Sequence, residues 1–74
     1  MKRLTFDVYG QFTVHVERDG DGWRVLRVAP DGKRGLLGVE IPSDLPEPAL
    51  ARYLDDLLHE LAGPGDSIRL VERS

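Results

Sequence analysis

Three observations predict an α+β fold for this chain, a two-layer sandwich of one antiparallel sheet and one amphipathic helix. Only the stretch from Leu45 to Pro64 has a long helical period. Leu50, Tyr53, Leu54, Leu57, Leu58 and Leu61 fall on one side of it, and Arg52, Asp55, Asp56, His59 and Glu60 on the other. The remaining segments are short and alternate apolar with polar residues, as strands do when they bury one face. Glycine-bearing turns separate them. A helix with one apolar stripe needs a sheet to cover, which gives the element order β-β-β-β-α-β.

From Arg3 to Arg18 the even positions Leu4, Phe6, Val8, Phe12, Val14 and Val16 are apolar, and Gly10 interrupts them. Two arrangements fit. A hairpin turning at Tyr9-Gly10-Gln11 pairs Val8 with Phe12, Phe6 with Val14 and Leu4 with Val16 on one face, with Gly10 at positive φ. The other is one long strand bulged at Gly10. A two-residue turn would set Phe6 against Thr13, apolar against polar, and is rejected. The three-residue hairpin is the preferred expectation.

Asp19-Gly20-Asp21-Gly22 is a turn by composition. Trp23–Ala29 follows as a strand, with Trp23 and Val25 on one face and Leu26 and Val28 on the other, so it is apolar on both faces. Pro30-Asp31-Gly32 suits a type I turn closed by a left-handed glycine. A fourth strand is expected over Leu36–Ile41, where Leu37, Val39 and Ile41 alternate. Gly35 and Gly38 weaken it and mark it as an edge or a bulged segment. Pro46 and Pro48 fit only the first turn of the helix. Asp44 and Glu47 have the spacing of a capping box, and Gly63-Pro64 ends the helix. Ser67–Glu72 reads as a last strand with Ile68 and Leu70 inward.

The 74 residues make one domain, 1–74, with no room for an inter-domain cleft. The absence of cysteine excludes disulfides, thiolate metal sites and a cysteine nucleophile, and fits a reducing compartment. Met1–Asp7 enters an alternating strand pattern without an apolar run, so no leader or membrane span is expected, and the expected location is cytoplasmic. Residues 1–41 carry seven basic and six acidic side chains, while residues 42–62 carry one basic and five acidic. The acidity thus lies on the outer face of the helix, and the chain lacks the basic footprint of a general nucleic-acid binder.

Chemistry-bearing residues are sparse. His15 stands at an odd position between Val14 and Val16 and is read as a histidine of the sheet's outer face. His59, with Asp55 and Asp56 on the same helical face, is read as a surface ion-pairing residue, since no third metal ligand is nominated. Asp19 and Asp21 lack the twelve-residue ladder of a calcium loop. Trp23 is expected as a core lid rather than a ligand platform. Tyr9, beside Gly10, is a candidate contact residue projecting from the sheet. Arg24, Arg27, Lys33 and Arg34 form the one basic concentration, with Arg24 and Arg27 on opposite faces. No cofactor or metal is implied.

Phe6-Asp7-Val8-Tyr9-Gly10, the turn Arg18–Trp23, Ile41–Pro46 and Leu50–Glu60 resemble a family of short bacterial proteins known only as a domain of unknown function. That resemblance spans nearly the whole chain and implies no activity. A second lies in element order: strand, Asp-Gly-Asp-Gly-aromatic turn, strand, strand, then a helix led by Asp44-Leu45-Pro46. This is similar to the HicB-type antitoxin domain, which implies a protein-binding module that neutralises a small ribonuclease. The function expected is a non-catalytic protein-interaction module that self-associates, using residues among Tyr9, His15, Trp23, Arg24, Leu26, Arg27, Lys33 and Arg34. A protein partner or a second copy is favoured over nucleic acid, and no membrane is expected. The alternative is a small nucleic-acid-binding or antitoxin-like regulator.

Overall fold

A computed structural model describes residues Arg3–Arg73. Five strands, β1 (Arg3–Val8), β2 (Phe12–Asp19), β3 (Gly22–Val28), β4 (Arg34–Leu36) and β5 (Ile68–Arg73), form one antiparallel sheet in the order β4-β3-β2-β1-β5. A helical run of 3-10 turn Glu47–Ala49, α1 (Leu50–Leu58) and 3-10 turn His59–Leu61 joins β4 to β5. The element order is the one expected. The link from β4 to β5 therefore crosses the whole sheet, from one edge to the other.

The hairpin alternative for the first segment is the one the chain adopts. Leu4 pairs with Val16, Phe6 with Val14 and Val8 with Phe12, and the Gln11 amide closes the turn on the Val8 carbonyl at 2.9 Å. The turn places Tyr9 as well as Gly10 at positive φ, +57° and +69°. For a bulky residue that conformation costs about 1 kcal/mol. Burial compensates, since the Tyr9 side chain turns down into the core and is only 6% exposed.

The inner face of β1, β2 and β3 presents Leu4, Phe6, Val8, Val14, Val16 and Val25, all buried, and Leu50 and Leu54 of α1 close over them. The helix stripe is covered unevenly. Leu58 and Tyr53 pack on the core, whereas Leu57 and Leu61, expected in the same stripe, remain 43% and 48% exposed.

The fourth strand differs from expectation. The strand ends at Leu36, the Leu37 amide makes one last bond to the Val25 carbonyl at 3.0 Å, and residues 38–46 run beneath the sheet. Leu37, Val39 and Ile41 do turn inward as their alternation predicts, with Ile41 buried and the other two packed on the core. The reason is coverage. One helix cannot roof five strands, so the chain on its way to the helix fills the remainder. The capping box is also not formed: the N-terminal turn begins at Pro46 without a side-chain cap.

Candidate interaction surfaces

The odd positions of β1 and β2 carry side chains to the outer face, where Glu17 is the centre. It pairs across the strands with Arg3 on one side and Arg24 on the other. Arg24 Nη2 donates to Glu17 Oε1, and Arg34 Nη1 donates to Glu17 Oε2, both at 3.3 Å. The two arginines roof the carboxylate, leaving Glu17 buried in a face that has no second layer among the described residues. Burial by itself would raise the Glu17 pKa. The hydrogen bonds from Arg24 and Arg34, with their charges, outweigh it and hold the carboxyl below its ordinary value.

His15 is flanked by Thr5 and Leu26 in neighbouring strands, and its Nδ1 lies 3.4 Å from Arg34 Nη1. Burial first, then the charges of Arg3 and Arg34, lower its pKa. The outer-face expectation for His15 is met, and its surroundings favour the neutral ring. Thr5 is buried beneath this cluster, and its hydroxyl has no hydrogen-bond partner among the described residues.

The basic concentration is divided. Arg24 and Arg34 are engaged by Glu17. Arg27 lies on the opposite face, 4.4 Å over the Phe12 ring. An open groove on the β3–β4 hairpin is lined by Arg27, Lys33, Arg34, Leu36 and Leu37, and it brings three of the four cations together.

Tyr9 is corrected from a projecting contact to a core residue. Its hydroxyl donates to Asp55 Oδ1 at 2.5 Å, tying the first hairpin to α1. Burial, the Asp55 hydrogen bond and the nearby charges of Asp55, Asp56 and Asp66 raise its pKa to about 12. Trp23 is the half-buried lid expected of it. Its Nε1 donates to the Leu45 carbonyl at 3.3 Å, and Arg18 stacks 3.8 Å over its ring. His59 Nδ1 meets the Asp56 backbone carbonyl at 2.9 Å rather than a neighbouring carboxylate. No group of three or more His, Asp or Glu residues arranged for a metal ion occurs among the described residues.

The sheet edges carry the exposed apolar side chains that the strand pattern left over. Leu36 on β4 is 75% exposed, and Leu70 and Val71 on β5 are 42% and 54% exposed. β5 holds a bulge: Phe6 pairs with Leu70 and Thr5 with Glu72, so Val71 is the extra residue. Sequence reasoning missed two of these features. Glu17 was legible, because a turn pairing Asp19 with Gly22 sets Glu17 against Arg24 two pairs on. The exposure of β5 was not, since an inward Leu70 reads the same on a central strand as on an edge.

A family model described as a domain of unknown function, DUF7661, matches residues 3–72. The chain is a member of that family, which is an uncharacterised one. No curated protein and no solved structure matches it, and the HicB-type likeness is not shown by these findings. Among the described residues no helix is long and apolar enough to cross a membrane.

Proposed function

We propose that this chain is a non-catalytic protein-interaction module that self-associates, acting in a reducing cytoplasmic setting without a cofactor. The observation that carries this reading is the position of its surplus apolar side chains. Leu36, Leu70 and Val71 are exposed on the two edge strands, where backbone donors and acceptors also lack a neighbouring strand. Sheet edges of this kind recruit further strands. The groups with perturbed pKa values support the same reading, because each has a structural partner: Tyr9 with Asp55, Glu17 with Arg24 and Arg34, and His15 beside Arg34.

Sedimentation of the full chain from micromolar to near-millimolar concentration tests the proposal. A concentration-dependent shift to a discrete oligomer is expected. A monomer at every concentration, together with no protein recovered on the tagged chain from a nuclease-treated lysate, would remove it. One observation favours the nucleic-acid alternative, the groove shared by Arg27, Lys33 and Arg34. That alternative requires oligonucleotide binding at low salt that weakens steeply as salt is added.

A further inference from the structure

We infer that β5 is the edge through which two copies of this chain join, its strand running antiparallel to the partner's β5 about a two-fold axis between Leu70 and Val71. The inference rests on the self-association proposed above and names its surface. A two-fold interface must be complementary to itself. In an antiparallel pair, residues directly opposite share a sheet face and interact. With the axis between Leu70 and Val71, Arg69 stands opposite the partner's Glu72, and Glu72 opposite the partner's Arg69.

Both residues lie on the outer face. Arg69 pairs with Asp7, and Glu72 with Thr5, across to β1. The register therefore creates two cross-strand ion pairs of opposite sign. Between them Leu70 meets the partner's Val71, and Val71 meets the partner's Leu70, so the apolar side chains exposed in one copy cover each other. All six residues of Ile68–Arg73 are used. The outermost pairs set Ile68 against the partner's Arg73, whose guanidinium is drawn 3.1 Å from Glu47 and leaves its apolar stem for the contact.

The bulge supports this register. In a regular strand Arg69 and Glu72, three positions apart, would lie on opposite faces. The extra residue Val71 puts both on the outer face, as an axis between Leu70 and Val71 requires. An open groove lined by Leu70, Val71, Glu72 and Arg73 already runs along this edge. The other edge fits less well. β4 is three residues long with Gly35 at its centre, and its continuation turns under the sheet, where the Leu37 amide bonds the Val25 carbonyl at 3.0 Å. An edge built to repel a second copy sets like charges opposite each other, and β5 does the reverse.

The test is sedimentation equilibrium on the full chain carrying Val71→Lys, Arg69→Glu or Glu72→Arg, with Leu36→Asp on β4 as the comparison. Each β5 variant is expected to weaken the dimer by about tenfold, and Leu36→Asp to leave it as in the wild type. An equimolar mixture of Arg69→Glu and Glu72→Arg should form a one-to-one heterodimer at concentrations where neither associates alone. One copy then presents two acids on the outer face of the strand, and the other two bases. The mixture also guards against a trivial loss, because Arg69 bridges Asp7 within its own chain at 3.7 Å and unfolded chains would not be rescued by mixing. A dimer unchanged by the β5 variants but lost with Leu36→Asp would overturn the β5 assignment and keep self-association. A wild-type monomer throughout would overturn both.

Discussion

The inner and outer faces of the sheet come from the same strands, alternate residue by alternate residue, and are held by different forces. On the inner face Leu4, Phe6, Val8, Val14, Val16 and Val25 are sealed by Leu50, Leu54 and Ile41. On the outer face no second layer exists among the described residues, and Glu17 is buried instead under the arms of Arg24 and Arg34. Hydrophobic burial is insensitive to pH, whereas the outer cluster is a set of ionisable groups. One face should therefore set the stability of the domain, and the other should set how that stability depends on conditions.

The largest effect expected is from the inner face. Leu54 is fully buried at the centre of the helix stripe. Leu54→Ala should cost about 3 kcal/mol, read as a shift in the urea midpoint, out of a total on the order of 4–11 kcal/mol for a chain of this size. A loss below about 1 kcal/mol would mean that the helix contributes little to the core and that the two faces are more alike than described.

The outer face should respond less, and with a pH signature. Glu17→Ala removes two charge-assisted hydrogen bonds, but both arginines are about two-fifths exposed. The expected loss at neutral pH is therefore only about 1.5 kcal/mol. The sign of the pH dependence follows from linkage. The Glu17 carboxyl is held below its ordinary value of 4.5, so its contribution is present above that value and lost as pH falls through the folded one. His15, lowered from 6.5, acts in the same direction, because an unfolded chain binds its proton more readily. The melting temperature should drop on acidification from neutrality, and Glu17→Gln should flatten the more acidic part of that drop. An unchanged profile would show that the arginines serve only as a cover.

The smallest effect has the opposite sign. Thr5 buries a hydroxyl without a partner among the described residues on a strand. Thr5→Val removes that hydroxyl and keeps the β-branched shape, and should raise stability by about 0.5 kcal/mol. A loss on thermal melting would indicate that the hydroxyl takes part in the outer cluster.

What was legible in the sequence follows from the period of its elements. Two-residue alternation from Leu4 to Val16, interrupted at Gly10, fitted both a hairpin and one bulged strand. It determined the register that a hairpin would take, because a two-residue turn would set apolar against polar, and the structure decided for the hairpin. The helical spacing from Leu50 to Leu61 likewise determined the helix, and Pro46 and Gly63 its limits. Alternation also announced that Leu37, Val39 and Ile41 face inward. Whether they did so as a strand or as a cover beneath the sheet was a matter of area, which a periodic pattern does not encode. The same limit applies to Tyr9. Its burial depends on a helix nearly fifty positions away in sequence supplying Asp55, a contact that no local pattern announces. Gly35 and Gly38 marked the fourth strand as an edge or a bulged segment, and β4 is an edge; the tertiary structure alone decided that β5 became the other. Strand order is set by how the chain crosses the sheet, and only that crossing leaves Leu70 and Val71 at the border with water.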